Sequence, residues 1–479
     1  MKILIFVLMF TLTSLTKADP YPPSITGLSV SSGQAGDVIK LNGAGFEDAM
    51  SVSFGGVNSL QYSVESPTLL NVQVPPAAIS GKIVVTNKNG SGSSSGSFSV
   101  IASSPCAPSV VSVASLLISS LSVVNSSLAK FITINPAAAP LSFPAAMSKL
   151  KPKSQSTSDF ILNFLRQFGS VSSLNGYPVV QKPQINGLIN NWPKLADGSL
   201  NLDLAPFRLL AVSVRFDDSM RTTKQAGEGR LVYGVLDPLT SLPLDFTVIL
   251  EYALLIKESS QPEVTLTLDD WARKAQELSL TVFGSSDYMN KLGSVVNLFT
   301  ANSYASHVNG SALNHARTNE IELSRKDPKL SAEQAWSMRD FALSASGQLQ
   351  QIPMGFQPST TLDNTQGLVD WVSSNADVIL AQTASVPPSY LAGEVKLREQ
   401  FQWLKANDIS IDEALRSSFG QQTCNGCHTR ESTQGTKFAH ILPRSSNKPS
   451  VLSFFLIDAL PGRESTLKSL VKSANGCAQ

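Results

Sequence analysis

Val38-Ile39-Lys40-Leu41-Asn42 decides the fold of the first part of the chain, because it alternates apolar and polar residues with period two. Successive side chains of a strand point to opposite faces, so Ile39 and Leu41 turn to a core while Lys40 and Asn42 meet water. Val52-Ser53-Phe54 and Lys82-Ile83-Val84-Val85-Thr86 read the same way. Clusters of Gly, Pro, Asn and Ser part these runs at a spacing of roughly ten residues, which predicts a sandwich of short antiparallel strands. The sandwich is expected to run from Pro20 to Ile101. Within it, residues 89–97 are rich in Gly and Ser and are expected to form a hairpin loop before the last strand.

The same segment resembles the IPT/TIG domain, an immunoglobulin-like module. The matching pieces are Pro23-Ser-Ile-Thr, Ser32-Gly33 with Gly36, Leu41-Asn-Gly-Ala-Gly-Phe46, Val52-Ser-Phe-Gly-Gly56, Val74-Pro75 and the closing Phe98-Ser-Val. The resemblance implies a module over residues 19–102 that binds protein or glycan or serves as a spacer. It implies no catalytic residue.

The start of the chain predicts export. Lys2 is followed by an unbroken apolar run over residues 3–10, and Thr16-Lys17-Ala18 offers the small residue that signal cleavage requires, so residues 1–18 are expected to be a signal peptide cut before Asp19. The expected destinations are the periplasm, the outer cell surface or the medium. No later run reaches the ~18 apolar residues of a membrane helix. The nearest, residues 110–124, is broken by Ser112, Ser115, Ser119, Ser120 and Ser122, so no transmembrane segment is expected. A net charge of +1 with 15% charged residues gives no reason to expect nucleic acid or an anionic membrane as partner.

Four cysteines in 479 residues are too few for a disulfide-built scaffold, so apolar cores must carry the fold. Ser103-Ser104-Pro105-Cys106-Ala107-Pro108 marks the boundary to a second, larger domain over residues 103–479. Cys106 stands at its entrance and Cys477 at its exit, and a bridge between them is the expected state of two exported cysteines. Residues 206–215, 227–236 and 246–252 read as buried strands punctuated by Arg215, Asp217, Glu228, Arg230 and Glu251. Glu228 and Arg230 share a strand face, which predicts an ion-pair network; an acid for hydrolysis at Glu228 or Glu251 is the sharper alternative. Helical periods follow over residues 268–278, 331–341, 368–382, 392–406 and 411–419. The whole is therefore a multidomain chain: an all-β immunoglobulin-like sandwich, then a large α+β domain that turns helical towards its C-terminal end.

The chemistry concentrates in Thr423-Cys424-Asn-Gly-Cys427-His428 and Phe438-Ala-His440-Ile-Leu-Pro-Arg444. C-x-x-C-H is the signature of covalent c-type haem attachment. On a helix Cys424, Cys427 and His428 fall at i, i+3 and i+4 and share a face, so both thiols reach one group while the imidazole takes its iron. Two other readings stay open: a disulfide or redox pair, and a structural zinc held by Cys424, Cys427, His428 and His440. No methionine follows the motif, the last being Met354, so His440 is the candidate second ligand of the haem iron, or the site is five-coordinate and open to a small ligand or peroxide. His307 and His315 read as ordinary polar residues. The stretch from Leu204 to Arg444 also resembles a group of exported bacterial proteins that bring no known activity, through Leu204-Ala-Pro-Phe-Arg-Leu-Leu-Ala211, Ala226-Gly-Glu-Gly-Arg230 and Arg317-Thr-Asn-Glu-Ile321 as well as the two runs above. The expected function is an exported protein with one haem c that passes electrons to a redox partner or handles a small oxidant. The alternative is a non-enzymatic extracellular protein that binds protein or glycan and uses C-x-x-C-H as a disulfide or zinc staple.

Overall fold

The structure is a computed structural model that describes residues 21–101 (apart from 60, 76 and 77), 111, 115–217, 225–258, 260–321, 336–396, 411–428 and 440–475. Residues 1–18, Cys106, Cys477 and Phe438 lie outside the described residues, and with them the expected signal peptide and the Cys106–Cys477 bridge. The chain divides into two compact units, residues 1–110 and 111–479.

The first unit is built from β1 (Ser24–Leu28), β2 (Ser32–Gly33), β3 (Val38–Ala44), β4 (Ser51–Phe54), β5 (Val57–Ser59), β6 (Tyr62–Ser66), β7 (Leu69–Gln73), β8 (Gly81–Asn87) and β9 (Gly90–Val100). They form a four-stranded sheet in the order β1-β3-β7-β6 and a five-stranded sheet in the order β2-β9-β8-β4-β5. The alternation in β3 works out as expected, with Ile39 and Leu41 buried between exposed neighbours. They join Val52, Phe54, Val72, Ile83, Val85 and Phe98 in one core, where Phe54 meets Phe98 edge-on at 5.3 Å. The Gly/Ser-rich stretch corrects the expectation of a loop. It is most of β9, paired antiparallel with β8 from Asn87↔Gly90 to Gly81↔Phe98. A Cβ at Gly92 would collide with the Pro23 carbonyl, so the small residues there admit a neighbouring segment of backbone instead of marking a turn.

The second unit is organised by one antiparallel sheet. Its strands are β10 (Leu117–Ile118), β13 (Phe207–Arg215), β14 (Gln225–Leu236), β15 (Pro243–Leu255), β16 (Leu313–Ile321), β17 (Trp336–Leu343), β18 (Leu349–Ile352) and β19 (Val395–Lys396). A separate hairpin pairs β11 (Ser173–Leu174) with β12 (Tyr177–Pro178). The large sheet runs β10-β13-β14-β15-β16-β17-β18, and β19 also pairs with β17. The three strands read from sequence are β13, β14 and β15.

One face of the sheet carries Leu231, Tyr233, Val248, Leu250, Tyr252, Ala316 and Phe341 into the main core. Helices Phe143–Leu150, Thr157–Ser170, Leu268–Leu280 and Ser286–Phe299 cover it with Phe143, Phe164, Phe168, Trp271, Tyr288 and Phe299. Each of these helices opens on a hydroxyl cap. At Thr267 a full capping box with Asp270 sets the start of Leu268–Leu280.

Three helical expectations are corrected. The period over 331–341 predicts a helix, but 336–343 is β17, and residues 331–335 lie outside the described ones. β17 is hydrogen-bonded on both sides and buried on both faces, so it lacks the polar alternation that betrays a strand. Of the period over 392–406, residues 392–394 are not helical, Val395 and Lys396 form β19 against Met338 and Ser337, and 397–406 lie outside the described residues. The stretch 368–382 is two helices, Gln366–Ser374 and Ala376–Leu380, parted at Asn375. The helix before the motif is Glu413–Gln422, capped by Asp412, whose carboxylate accepts from the Leu415 N–H at 2.9 Å. Among the described residues no helix is long and apolar enough to cross a membrane.

Candidate functional site

The opposite face of the large sheet is polar where the core face is apolar. Cross-strand pairs Arg215↔Glu228, Arg230↔Glu251, Glu251↔His315 and Arg317↔Asp340 place these seven residues in one patch. Arg230 Nε donates to Glu228 at 3.0 Å, and its Nη1 lies 3.3 Å from Glu251. Arg317 donates to Glu251 at 2.8 Å and to Asp340 at 3.3 Å, while His315 Nδ1 is 3.0 Å from the other oxygen of Asp340. Arg215 pairs with Asp217 at 2.7 Å, and Arg463 of the last helix reaches the same carboxylate at 3.5 Å. Burial alone would raise Glu228, but Arg230, Arg215 and Arg317 outweigh it and hold the carboxyl down at about 2. Glu228 is therefore a fixed anion of the expected network and is unsuited to general-acid work at neutral pH. His315, read as an ordinary polar residue, proves to be a member of this network. His307 is not; it stands beside Tyr304, ring centroids 6.1 Å apart.

The C-x-x-C-H segment packs over this face. Cys424–Cys427 is a single helical turn with His428 as its C-cap. Thr423 makes the turn: its hydroxyl accepts from the Gly426 N–H at 3.0 Å and donates to the Gly420 carbonyl at 2.7 Å. The Asn425 N–H donates to Gln357 Oε1 at 3.0 Å, which ties the turn to the loop after β18. Cys424 packs against Met338, Met354 and Val395. Thus Met354, remote in sequence, comes back to the motif, and Met338 shares a strand face with Asp340.

His440 arrives from the other side. Its ring lies against that of His428 with centroids 4.4 Å apart, and its Nε2 is 4.0 Å from Cys427 Sγ. Nδ1 is held at 2.9 Å by Ser453 Oγ, and Phe455 stacks on the ring at 5.0 Å. The backbone repeats the tie, since Ser453 N–H donates to the His440 carbonyl at 2.9 Å. Next to it Ile441 joins Leu456 and Leu460 over the apolar continuation of the same sheet face, at Leu210, Val232 and Ile249. Arg444, from the same run, stands apart from the centre: it donates to the Leu209 carbonyl at 3.0 Å and to Asn125 at 2.8 Å, which locks the segment onto β13.

The electrostatics of the donors follow from burial. Desolvation pushes the Cys424 thiol up to about 12, against the pull of Arg317. It also raises Cys427, against Arg215. His440 is held well below the usual imidazole range by burial, then by His428 and the cations Arg230, Arg463 and Arg215. Both thiols are therefore protonated at neutral pH and the His440 imidazole is neutral.

Cys424 and Cys427 carry free thiols. This donor chemistry fits a covalently attached haem, which takes two thiols and a neutral imidazole. The His428 and His440 rings lie side by side with centroids 4.4 Å apart, so both would hold one iron only if the rings parted. Among the described residues no group of three or more His, Cys, Asp or Glu is arranged to hold a metal ion.

The IPT/TIG domain family matches the first unit, over residues 23–100. This segment is an IPT/TIG domain. No curated protein matches the chain. Among solved structures it is similar to SGBP-B from a complex xyloglucan utilization locus in Bacteroides uniformis, at 24% identity and a TM-score of 0.16 over 16% of this chain and 23% of that one. An auxiliary nutrient binding protein from Bacteroides thetaiotaomicron is similar at 24% identity and a TM-score of 0.16, over 17% of this chain and 22% of that one. The chain thus spans under a quarter of the length of either.

Proposed function

We propose that this is an exported protein whose IPT/TIG module serves recognition or spacing and whose second unit carries one haem, attached through Cys424 and Cys427. His428 and His440 are the imidazoles for its iron. The observation that carries this reading is the convergence of two thiols and two imidazoles on one half-buried spot, with His440 Nε2 turned to Cys427 and Nδ1 engaged by Ser453. A haem bound there would supply one-electron chemistry to a redox partner or to a small oxidant. The chain's own residues hold the attachment turn through Thr423, keep His440 neutral through burial and the arginines, and pack Met338 and Met354 against Cys424. Export rests on the charged and apolar pattern of residues 1–18.

The test is a pyridine haemochrome spectrum of protein produced together with the haem-attachment machinery. A covalent c-type signature lost in the double variant Cys424→Ser, Cys427→Ser supports the reading. Protein that stays free of haem under those conditions overturns it.

The IPT/TIG match favours a second reading, a non-enzymatic extracellular protein that binds protein or glycan. In it C-x-x-C-H is a disulfide or zinc staple, and the desolvated thiols suit an inert structural role. Zinc content and thiol titration of the haem-free protein test it: bound zinc or an oxidised Cys424–Cys427 pair supports it, and free thiols without metal refute it.

A further inference from the structure

His440 is held by one side chain that has a second duty. Ser453 Oγ is 2.9 Å from His440 Nδ1, and the same oxygen accepts the Leu456 N–H at 3.2 Å as N-cap of the last helix, Phe454–Ala474. A hydroxyl oxygen has two lone pairs. One accepts from the Leu456 N–H, and the other can accept a hydrogen bond from Nδ1–H. The imidazole then carries its proton on Nδ1 and keeps its lone pair on Nε2, the nitrogen 4.0 Å from Cys427 Sγ. A thiol donates weakly, so the Cys427 S–H can point at that lone pair; the reverse tautomer would aim Nε2–H at a sulfur that accepts only weakly. The backbone bond from Ser453 N–H to the His440 carbonyl at 2.9 Å, and the Leu442 N–H to Val451 carbonyl bond at 2.9 Å, fix the two segments side by side. Phe455, the second residue of the helix, stacks on the ring at 5.0 Å.

We propose that Ser453 is the positioning residue of the centre: its hydroxyl selects the His440 tautomer that offers Nε2 as donor and couples that choice to the cap of the last helix. The principle is the general one that a ligating imidazole is oriented by what holds its other nitrogen. This inference rests on the reading of His440 as a ligand, yet it is a statement about the unloaded protein too.

The experiment uses the full chain labelled with ¹⁵N in its histidine rings, without haem, at neutral pH, with His440 assigned by the variant His440→Gln. The wild type is expected to show His440 as the Nδ1–H tautomer. Ser453→Ala should shift the tautomer ratio by about fivefold or more towards Nε2–H, the worth of one ordinary hydrogen bond. Ser453→Thr should restore it. Ser453→Asn keeps a side-chain cap for Leu456 and separates the two duties: if only the cap matters, Asn matches wild type in thermal stability and Ala does not, while the tautomer stays the same in both. An unchanged tautomer in Ser453→Ala overturns the proposal. In protein that takes up haem, Ser453→Ala should also lower the low-spin fraction, and Ser453→Thr should recover it; a spectrum insensitive to both overturns the positioning role. If the wild type takes up no haem, the haem reading falls, and the tautomer measurement still decides this one.

Discussion

Replacing Gly426 by Ala tests whether the attachment turn is as tightly built as its geometry indicates. A Cβ there would stand 2.5 Å from the Gly420 carbonyl carbon, closer still to its oxygen, and 3.2 Å from Thr423 Oγ1. Ordinary contact between carbons needs ~3.5–4.0 Å, so the turn must back away by roughly 1 Å. That movement strains the two bonds of Thr423, to Gly426 at 3.0 Å and to Gly420 at 2.7 Å. Overpacking of this kind costs ~1–3 kcal/mol and the loss of a cap ~1 kcal/mol. Ala regains up to ~1 kcal/mol over Gly as a helix former, which leaves a net loss of about 1–3 kcal/mol. The loss is local, because the turn is tied to the unit by Gln357 and by packing on Cys424 and is not part of the main core. Native-state labelling of Cys424 and Cys427 by a thiol reagent should therefore speed up by about tenfold per 1.4 kcal/mol, with a smaller drop in the urea midpoint. Labelling rates within twofold of wild type, with an unchanged midpoint, would refute the claim that Gly426 is required sterically.

Three further outcomes are expected. Glu228 is held at about 2 against an ordinary 4.5, so its contribution is present above pH 4.5 and is lost as pH falls through the folded value; at full strength it is of order 3 kcal/mol. Urea titrations between pH 6 and pH 2 should show a flatter acid limb for Glu228→Gln than for wild type, and parallel limbs would contradict this. Residues 19–102 made alone should unfold in one cooperative thermal step, because the sandwich has its own core around Leu41, Phe54 and Phe98; a non-cooperative melt would count against an independent module. Peptide mapping without reductant should recover a Cys106–Cys477 pair, and free thiols at both would dismiss the bridge.

How far the fold was legible depends on how many faces of an element are buried. β3 shows water one face, so Ile39 and Leu41 stand out between Lys40 and Asn42. β13, β14 and β15 are long and rich in branched apolar residues, and length with composition sufficed. β17 gives no such sign. Phe341 and Arg339 face the helices, where the Arg339 guanidinium lies 5.3 Å from the Phe168 ring and bonds Glu320 at 3.1 Å; Met338 and Asp340 face the centre. With charge buried on both sides, local sequence reads as an amphipathic helix, and only pairing with β16, β18 and β19 overrides it. β9 misleads for the opposite reason, since Gly92 within it admits the Pro23 carbonyl and does not mark a turn.

The candidate site divides along the same line. The motif itself is local, so Cys424, Cys427, His428 and the nearby His440 were visible as a set. What surrounds them is not local. Arg215, Arg230, Glu251, Arg317 and Asp340 come from five different strands, and nothing in any one strand says that they face a common patch. Register does: each cross-strand pair carries the patch one strand further, from Arg215 to Asp340. Met354 illustrates the consequence. Reading forward from Cys427 leaves the motif without a methionine, yet the backbone returns Met354 to Cys424 through the bond from its N–H to the Ala392 carbonyl at 2.7 Å, three residues before Val395. A thioether and an imidazole therefore both lie within the same neighbourhood, on opposite cysteines. For the proposed haem iron, His440 is the better placed of the two, because its Nδ1 is held by Ser453 and its Nε2 is turned to Cys427, whereas Met354 is packed among apolar side chains.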